Sequence, residues 1–86
     1  SKYFLRLIVD DKRGVLAQIT RILADHDVSL EQVLQQPYNG GKQSEIILIT
    51  HHASRRNIFE VRKQFEELTS ISEVKSLYRV EGGEEK

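Results

Sequence analysis

The chain contains no cysteine, so neither a disulfide nor a thiolate metal site holds its fold, and redox chemistry leaves its compartment open. It lacks an excess of either charge. Thirteen Lys and Arg balance thirteen Asp and Glu. That balance removes the long-range pull that a basic domain exerts on nucleic acid or an anionic membrane surface. Long apolar runs are missing too: the longest, Ile46–Ile49, falls far short of the roughly 20 residues that span a bilayer. No signal-peptide pattern opens the sequence. The glycine pair in "NGGK" is not followed by the helical pattern that a phosphate loop or a GxGxxG motif needs. What remains is 86 residues, 38% apolar and 30% charged, enough for one modest core. The expectation is a single soluble, cytoplasmic domain over 1–86, structured over about 2–82, with a tail at 83–86.

The apolar period changes along the chain. "KYFLRLIVD" alternates, with Tyr3, Leu5, Leu7 and Val9 on one face and Phe4, Arg6 and Ile8 on the other, which predicts a strand. From Gly14 the period is helical, with Val15, Ile19, Ile22 and Leu23 on one stripe, and "ADHD" ends that helix. "VSLEQVLQQ" reads as a second strand whose phase slips between Leu30 and Val33, predicting a bulge near Gln32. "PYNGGK" reads as a turn and "SEIILITH" as a third strand, apolar on both faces and therefore central. Ser44, Ile46, Leu48 and Thr50 point one way; Glu45, Ile47, Ile49 and His51 point the other. Ser54 is a candidate N-cap for a second helix. That helix carries Ile58, Val61, Phe65 and Leu68 on one side and Arg62, Lys63, Glu66 and Glu67 at pairing distance on the other. "ISEVKSLYRVEG" closes the pattern as a fourth strand.

The order βαββαβ predicts an α+β, ferredoxin-like sandwich: a four-stranded antiparallel sheet with two helices on one face. Right-handed crossovers place the first and third strands in the middle. The other sheet face is left uncovered, and Phe4, Ile8, Ile47 and Ile49 are expected on it as a surface for a partner.

Chemistry for catalysis is scarce. His51 and His52 are adjacent on a predicted strand and so point to opposite faces, a poor start for a shared metal. No Ser stands in a recognisable pattern with a histidine and a carboxylate. Asp10–Asp11 reads as a turn or cap and Arg55–Arg56 as a solvated helix start. RNA-binding domains of this fold stack bases on aromatics of both central strands, and the third strand has none. The residues point to no catalysis by this chain alone, no metal, no nucleic acid and no membrane.

One turn stands out. In "DDKRGVLAQIT" the first strand meets the first helix at Gly14. Glycine permits a positive φ and leaves no side chain at the helix mouth. The next backbone N–H groups then face open space at the positive helix end, where a carboxylate can bind. The alternative is a tight turn that needs glycine and nothing more.

"YFLRLIVDDKRGVLAQITRILADHDVSLEQVLQ" resembles the ACT domain, a small-molecule-sensing regulatory family. The family opens with D-x-P-G-V-L-A, then I-x-x-x-L on a helix, then I-N-I or I-S-I on the second strand. Asp11, Gly14, Val15, Leu16 and Ala17 match, as do Ile19, Leu23, Val28, Ser29 and Leu30. More narrowly, "YFLRLIVDDKRGVLAQIT", "VSLEQVLQ", "EIILITH" and "LYRVEG" are similar to the C-terminal ACT domain of the bacterial homoserine dehydrogenases. Arg13 replaces the usual proline, and Ser29 the asparagine of many amino-acid-binding members. The resemblance implies a homodimer that binds an amino acid between copies. Asp11, Lys12, Arg13, Gly14, Val15 and Leu16 would form one wall, with Ser29 and Leu30 of the neighbour facing them. Backbone N–H groups of Gly14 to Leu16 would hold the effector carboxylate, and Asp11 or Ser29 its ammonium or hydroxyl. The implied effector is threonine. The implied parent is an NAD(P)-dependent enzyme of aspartate-family amino-acid biosynthesis, with its catalytic domain before residue 1 and no cofactor in this domain. Two other readings stand beside it. One is a pairing module that binds nothing. The other is an ACT domain of a different parent, such as a stringent-response synthetase, an acetolactate synthase subunit or phosphoglycerate dehydrogenase.

Overall fold

The computed structural model describes residues 1–10 and 13–80. The elements run β1 (Lys2–Asp10), α1 (Val15–Asp25), β2 (Leu30–Tyr38), β3 (Gln43–Thr50), α2 (Arg55–Glu67) and β4 (Ile71–Val80). Every strand pair is antiparallel and the sheet order is β2-β3-β1-β4. The first and third strands are therefore central, as the pattern requires, and the fold is the ferredoxin-like βαββαβ sandwich.

Alternation sorts β1 and β3 between two environments. Tyr3, Leu5, Leu7 and Val9 join Ile46 and Leu48 in one cluster with Val15, Ile19, Ile22 and Leu23 of α1 and Ile58, Val61 and Phe65 of α2. Both helices thus pack on this face, through the stripes that the three-and-four spacing marks out. Each such side chain stabilises the fold by about 1.5–3 kcal/mol. Thr50 is fully buried there, yet its hydroxyl accepts from the Tyr3 N–H at 3.0 Å and donates to the His51 carbonyl at 2.7 Å. No polar group of that side chain is left unsatisfied.

On the other face Phe4, Arg6 and Ile8 lie opposite Ile49, Ile47 and Glu45, so the residues expected to share it do so. The Phe4 and Tyr78 rings stand 5.6 Å apart, and Leu34 and Tyr78 are 57% and 61% exposed. Ile8, like its partner Glu45, is buried, although it belongs to no part of the helix-side cluster. In the middle of this face Glu45 is only 4% exposed. Its carboxylate accepts from Gln36 Nε2 and Arg6 Nε. The Gln36 hydrogen bond, then the Arg6 guanidinium, hold its pKa below the ordinary glutamate range.

Several boundaries shift from the sequence reading. β2 begins at Leu30 and continues through Pro37 to Tyr38, so the turn is only Asn39–Lys42. Proline is tolerated because β2 is an outer strand with one free edge. The register slips between Leu30 and Gln32, which makes Glu31 the extra residue, one position earlier than expected. His51 and His52 lie in a bend after β3 rather than on it. On α2, Arg62 pairs with Glu66 at 3.2 Å, whereas Lys63 and Glu67 form none of the ion pairs found among the described residues. β4 is described to Val80; Glu81, Gly82 and the tail lie outside the described residues.

Candidate functional site

Gly14 has φ 81° and ψ −2°, the left-handed region, and no side chain caps α1 among the described residues. The Gly14 carbonyl accepts the first helical bond, from Gln18 N at 2.9 Å. The first N–H groups of α1 lie at the positive end of the helix dipole, where a helix start leaves donors to a cap, to water or to a ligand. A Cβ built on Gly14 would meet nothing within 4 Å among the described residues. Leu16 is 39% exposed beside it and offers an apolar contact. Val15 is buried in the core, so its side chain is not available to a ligand. Arg13 is exposed at the same turn. Asp11 and Lys12, assigned to this wall from the sequence, lie outside the described residues.

Residues far apart in sequence hold the turn in place. The Asp10 N–H donates to the Ser70 carbonyl at 2.8 Å, and Ser70 Oγ donates to Gln18 Oε1 at 3.1 Å. Gln43 Nε2 reaches Asp10 Oδ1 at 3.4 Å and Ser72 Oγ at 3.0 Å. Gln18, Gln43 and Ser70 carried no local signal, because their partners are brought together only by the strand register.

Ser29 and Leu30 sit beyond the opposite end of α1. Eleven residues of helix place the two ends about 16 Å apart. There Ser29 and Leu30 line a cleft of about 430 Å³ with Thr20, Ala24 and Asp27. The Ser29 carbonyl accepts from His51 N at 2.8 Å. Asp27, exposed at φ 59°, is a carboxylate that the sequence reading did not single out. At the bulge, Glu31 bonds Lys2 Nζ at 2.8 Å, with His51 Nδ1 at 4.0 Å. The Lys2 hydrogen bond is the main cause of a lowered Glu31 pKa. The two assigned walls thus do not meet within one copy. A ligand touching both must lie between two copies.

β2 is exposed along most of its length, Val33 included, although Val33 pairs with fully buried Leu48. The helix layer leaves most of this outer strand uncovered: Glu31 to Pro37 are exposed, while Leu30 at its start packs against the core.

A strand–glycine–helix turn on a βαββαβ sandwich defines the class: a small ferredoxin-like domain with Arg13 and Gly14 exposed at the first helix start. The family model of the ACT domain matches residues 3–69, and the chain belongs to that family. Among curated relatives, homoserine dehydrogenase of Bacillus subtilis is 37% identical over 95% of this chain and 19% of its own length. The Helicobacter pylori homoserine dehydrogenase is 34% identical over 92% and 19%. The chain therefore spans about a fifth of the relatives it matches. Among solved structures, a homoserine dehydrogenase from Thiobacillus denitrificans superposes with TM-score 0.84 at 34% identity, over 94% of this chain and 17% of that one. The ACT domain of a Chlorobium tepidum GTP pyrophosphokinase shares the fold, with TM-score 0.67 at 13% identity over 92% of this chain and 96% of that one.

Proposed function

We propose that this domain senses an amino acid for a homoserine dehydrogenase, with threonine as the feedback effector bound between two paired copies. The observation that carries this reading is the start of α1: a left-handed glycine, no side-chain cap, and a Cβ built on Gly14 that would meet nothing within 4 Å, both among the described residues. The effector carboxylate takes the backbone N–H groups at Val15 and Leu16, and its aliphatic part rests on Leu16. Ser29 of the neighbouring copy meets the hydroxyl. Asp11 and Asp27 are the carboxylates available for the ammonium. Pairing through β2 brings the second wall up, which accounts for a strand left exposed from Glu31 to Pro37. Regulation is the role of this domain; reduction or oxidation with NAD(P) belongs to the catalytic part of such an enzyme, in the cytoplasm.

Calorimetric titration of the chain with threonine, isoleucine, serine, valine and lysine tests the reading, together with sedimentation at tens of micromolar protein. Threonine is expected to bind in preference to the other four, and the chain to sediment as a dimer. Heat with none of the five would leave a pairing module without a ligand. Preference for another amino acid would move the domain to a different parent enzyme.

A further inference from the structure

The turn between α2 and β4 takes no part in the effector reading, yet one of its residues is tied to both ends of the segment that carries the proposed carboxylate site. The register explains why. Val9 pairs with Ile71, after a shift between Ile8 and Val9. Ser70, one position before β4, is thereby set against Asp10, the last residue of β1. The Ser70 carbonyl accepts the Asp10 N–H at 2.8 Å. The Ser70 hydroxyl donates to Gln18 Oε1 at 3.1 Å. Gln18 lies on α1, and its N–H makes the first helical bond, to the Gly14 carbonyl at 2.9 Å. The strand arm of the loop is therefore held through the Ser70 backbone, and the helix arm through its side chain.

Three features suit Ser70 to this task. It is buried, 8% exposed, so Gln18 takes the place of the water that its hydroxyl has lost. Its own backbone is held, because Ile71 N–H closes the turn on the Leu68 carbonyl at 3.2 Å and Leu68 packs against the core. Two residues on, Ser72 Oγ donates to the Ile8 carbonyl at 3.1 Å, which ties the start of β4 to the end of β1 a second time. The helix arm has no such second tie: Gln18 to Ser70 is its one side-chain bond to this turn among the described residues. A loop that is ordered before its ligand arrives loses less freedom on binding, and so binds more tightly. We propose that Ser70 is a positioning residue for the effector. It sets the spacing between the end of β1 and the first turns of α1, so that the backbone donors at Val15 and Leu16 stand ready for a carboxylate. This role rests on the effector reading of that helix start, and it gives Ser70 and Gln18 no contact with the ligand.

The test is calorimetric titration of the 86-residue chain with threonine in wild type, Ser70→Ala, Gln18→Ala and the double variant, each well below its melting range. Alanine keeps the carbonyl that Asp10 uses, so Ser70→Ala removes the Gln18 bond alone. It should weaken threonine at least about fivefold, the scale of one hydrogen bond. Gln18→Ala should weaken it to a similar extent, and the double variant no further than either, because both changes delete the same bond. Amide exchange on the ligand-free proteins is the second readout. In Ser70→Ala it should quicken at the Gln18 N–H and stay as in wild type at the Asn57 N–H, at the start of the other helix. A serine that only stabilises the fold would lower the melting temperature and leave threonine affinity where it was. Threonine affinity in Ser70→Ala within about twofold of wild type would overturn the proposal. So would single effects that add in the double variant, or unchanged exchange at Gln18. Absence of threonine heat in wild type is the separate failure of the effector reading, and the positioning role falls with it.

Discussion

The two helices of the sandwich start in different ways. α2 begins at Ser54 in extended backbone, and the Ser54 hydroxyl accepts from Asn57 N at 3.0 Å. α1 begins at Gly14 in left-handed backbone with no side-chain cap among the described residues. Both helices follow a strand and both pack on the same sheet face, so the difference does not come from the architecture. A hydroxyl cap is worth about 1 kcal/mol, and α1 does without one. Ser54 satisfies the Asn57 N–H in the second half of the molecule, and no side chain among the described residues does the same in the first. A helix start that is completed by its own chain has nothing to offer a ligand; one that is left incomplete does. This contrast supports the site proposed at α1 and predicts that substitutions at the two starts have opposite consequences.

The largest expected effect is at Gly14. Gly14→Val puts a β-branched residue at φ 81°, with backbone strain of about 1–3 kcal/mol. Its side chain also fills the space where the carboxylate approaches, so threonine binding should fall by at least about a hundredfold. Gly14→Ala separates strain from obstruction. Its Cβ meets nothing within 4 Å among the described residues, so the stability loss comes from φ, about 1–2 kcal/mol. Effector affinity should still fall at least about tenfold. Thermal melting and calorimetry on both variants read the two effects apart. Equal threonine affinity in wild type and Gly14→Ala would remove this turn from the site.

Ser54→Ala is the matching change at the other start. It deprives Asn57 N of its partner and should cost about 1 kcal/mol of stability. Threonine affinity, measured below the melting range, should stay within about threefold, which is under about 1 kcal/mol. A binding loss as large as that of Gly14→Ala would show that any weakening of a helix start disturbs the site, and the contrast between the helices would then carry no information about function.

Much of this contrast was legible in the sequence, and the reasons are local. Ser54 stands directly before an apolar three-and-four pattern, and Gly14 stands between a period of two and a period of 3.6. The central position of β3 followed from apolar residues at both Ile46 and Ile47. The slip at the bulge was visible because Leu30 and Val33 cannot share a face in a regular strand. What was not legible depends on register. Pro37 looked like a turn because its missing N–H matters only on an inner strand, and the sequence does not state which edge of β2 is free. Gln18 and Ser70 meet across 52 positions. The assigned walls Gly14–Leu16 and Ser29–Leu30 lie at opposite ends of one helix, a distance that a motif match does not convey.

A smaller effect concerns the two faces of the sheet. Glu45 sits on the open face with its carboxylate held by Gln36 and Arg6, and its pKa is lowered for that reason. A lowered carboxylate pKa means that its stabilisation is complete above the ordinary glutamate pKa, about 4.3. It is lost as pH falls through the lower folded value. Glu45→Gln should therefore melt earlier at neutral pH and lose less stability on acidification than wild type. Glu31, lowered by Lys2, keeps part of the acid response with the same sign. Melting curves between neutral pH and pH 3 measure the two slopes; parallel curves would show that Glu45 is not a source of acid sensitivity.

The smallest expected effect is at His51 and His52, the neighbours of the second wall. His51 holds Ser29 through its backbone N–H, 2.8 Å from the Ser29 carbonyl, and glutamine keeps that group. The His51 ring lies 4.0 Å from Glu31, which Lys2 already binds at 2.8 Å. Both histidines are exposed after the end of β3, where replacing a ring leaves no buried gap. The double variant His51→Gln, His52→Gln should therefore bind threonine within about threefold of wild type. Its affinity should also be flat between pH 6 and 8 wherever that of wild type is flat. A loss beyond about tenfold would mean that an imidazole touches the effector, and the second wall would have to be redrawn around the bend rather than around Ser29 and Leu30.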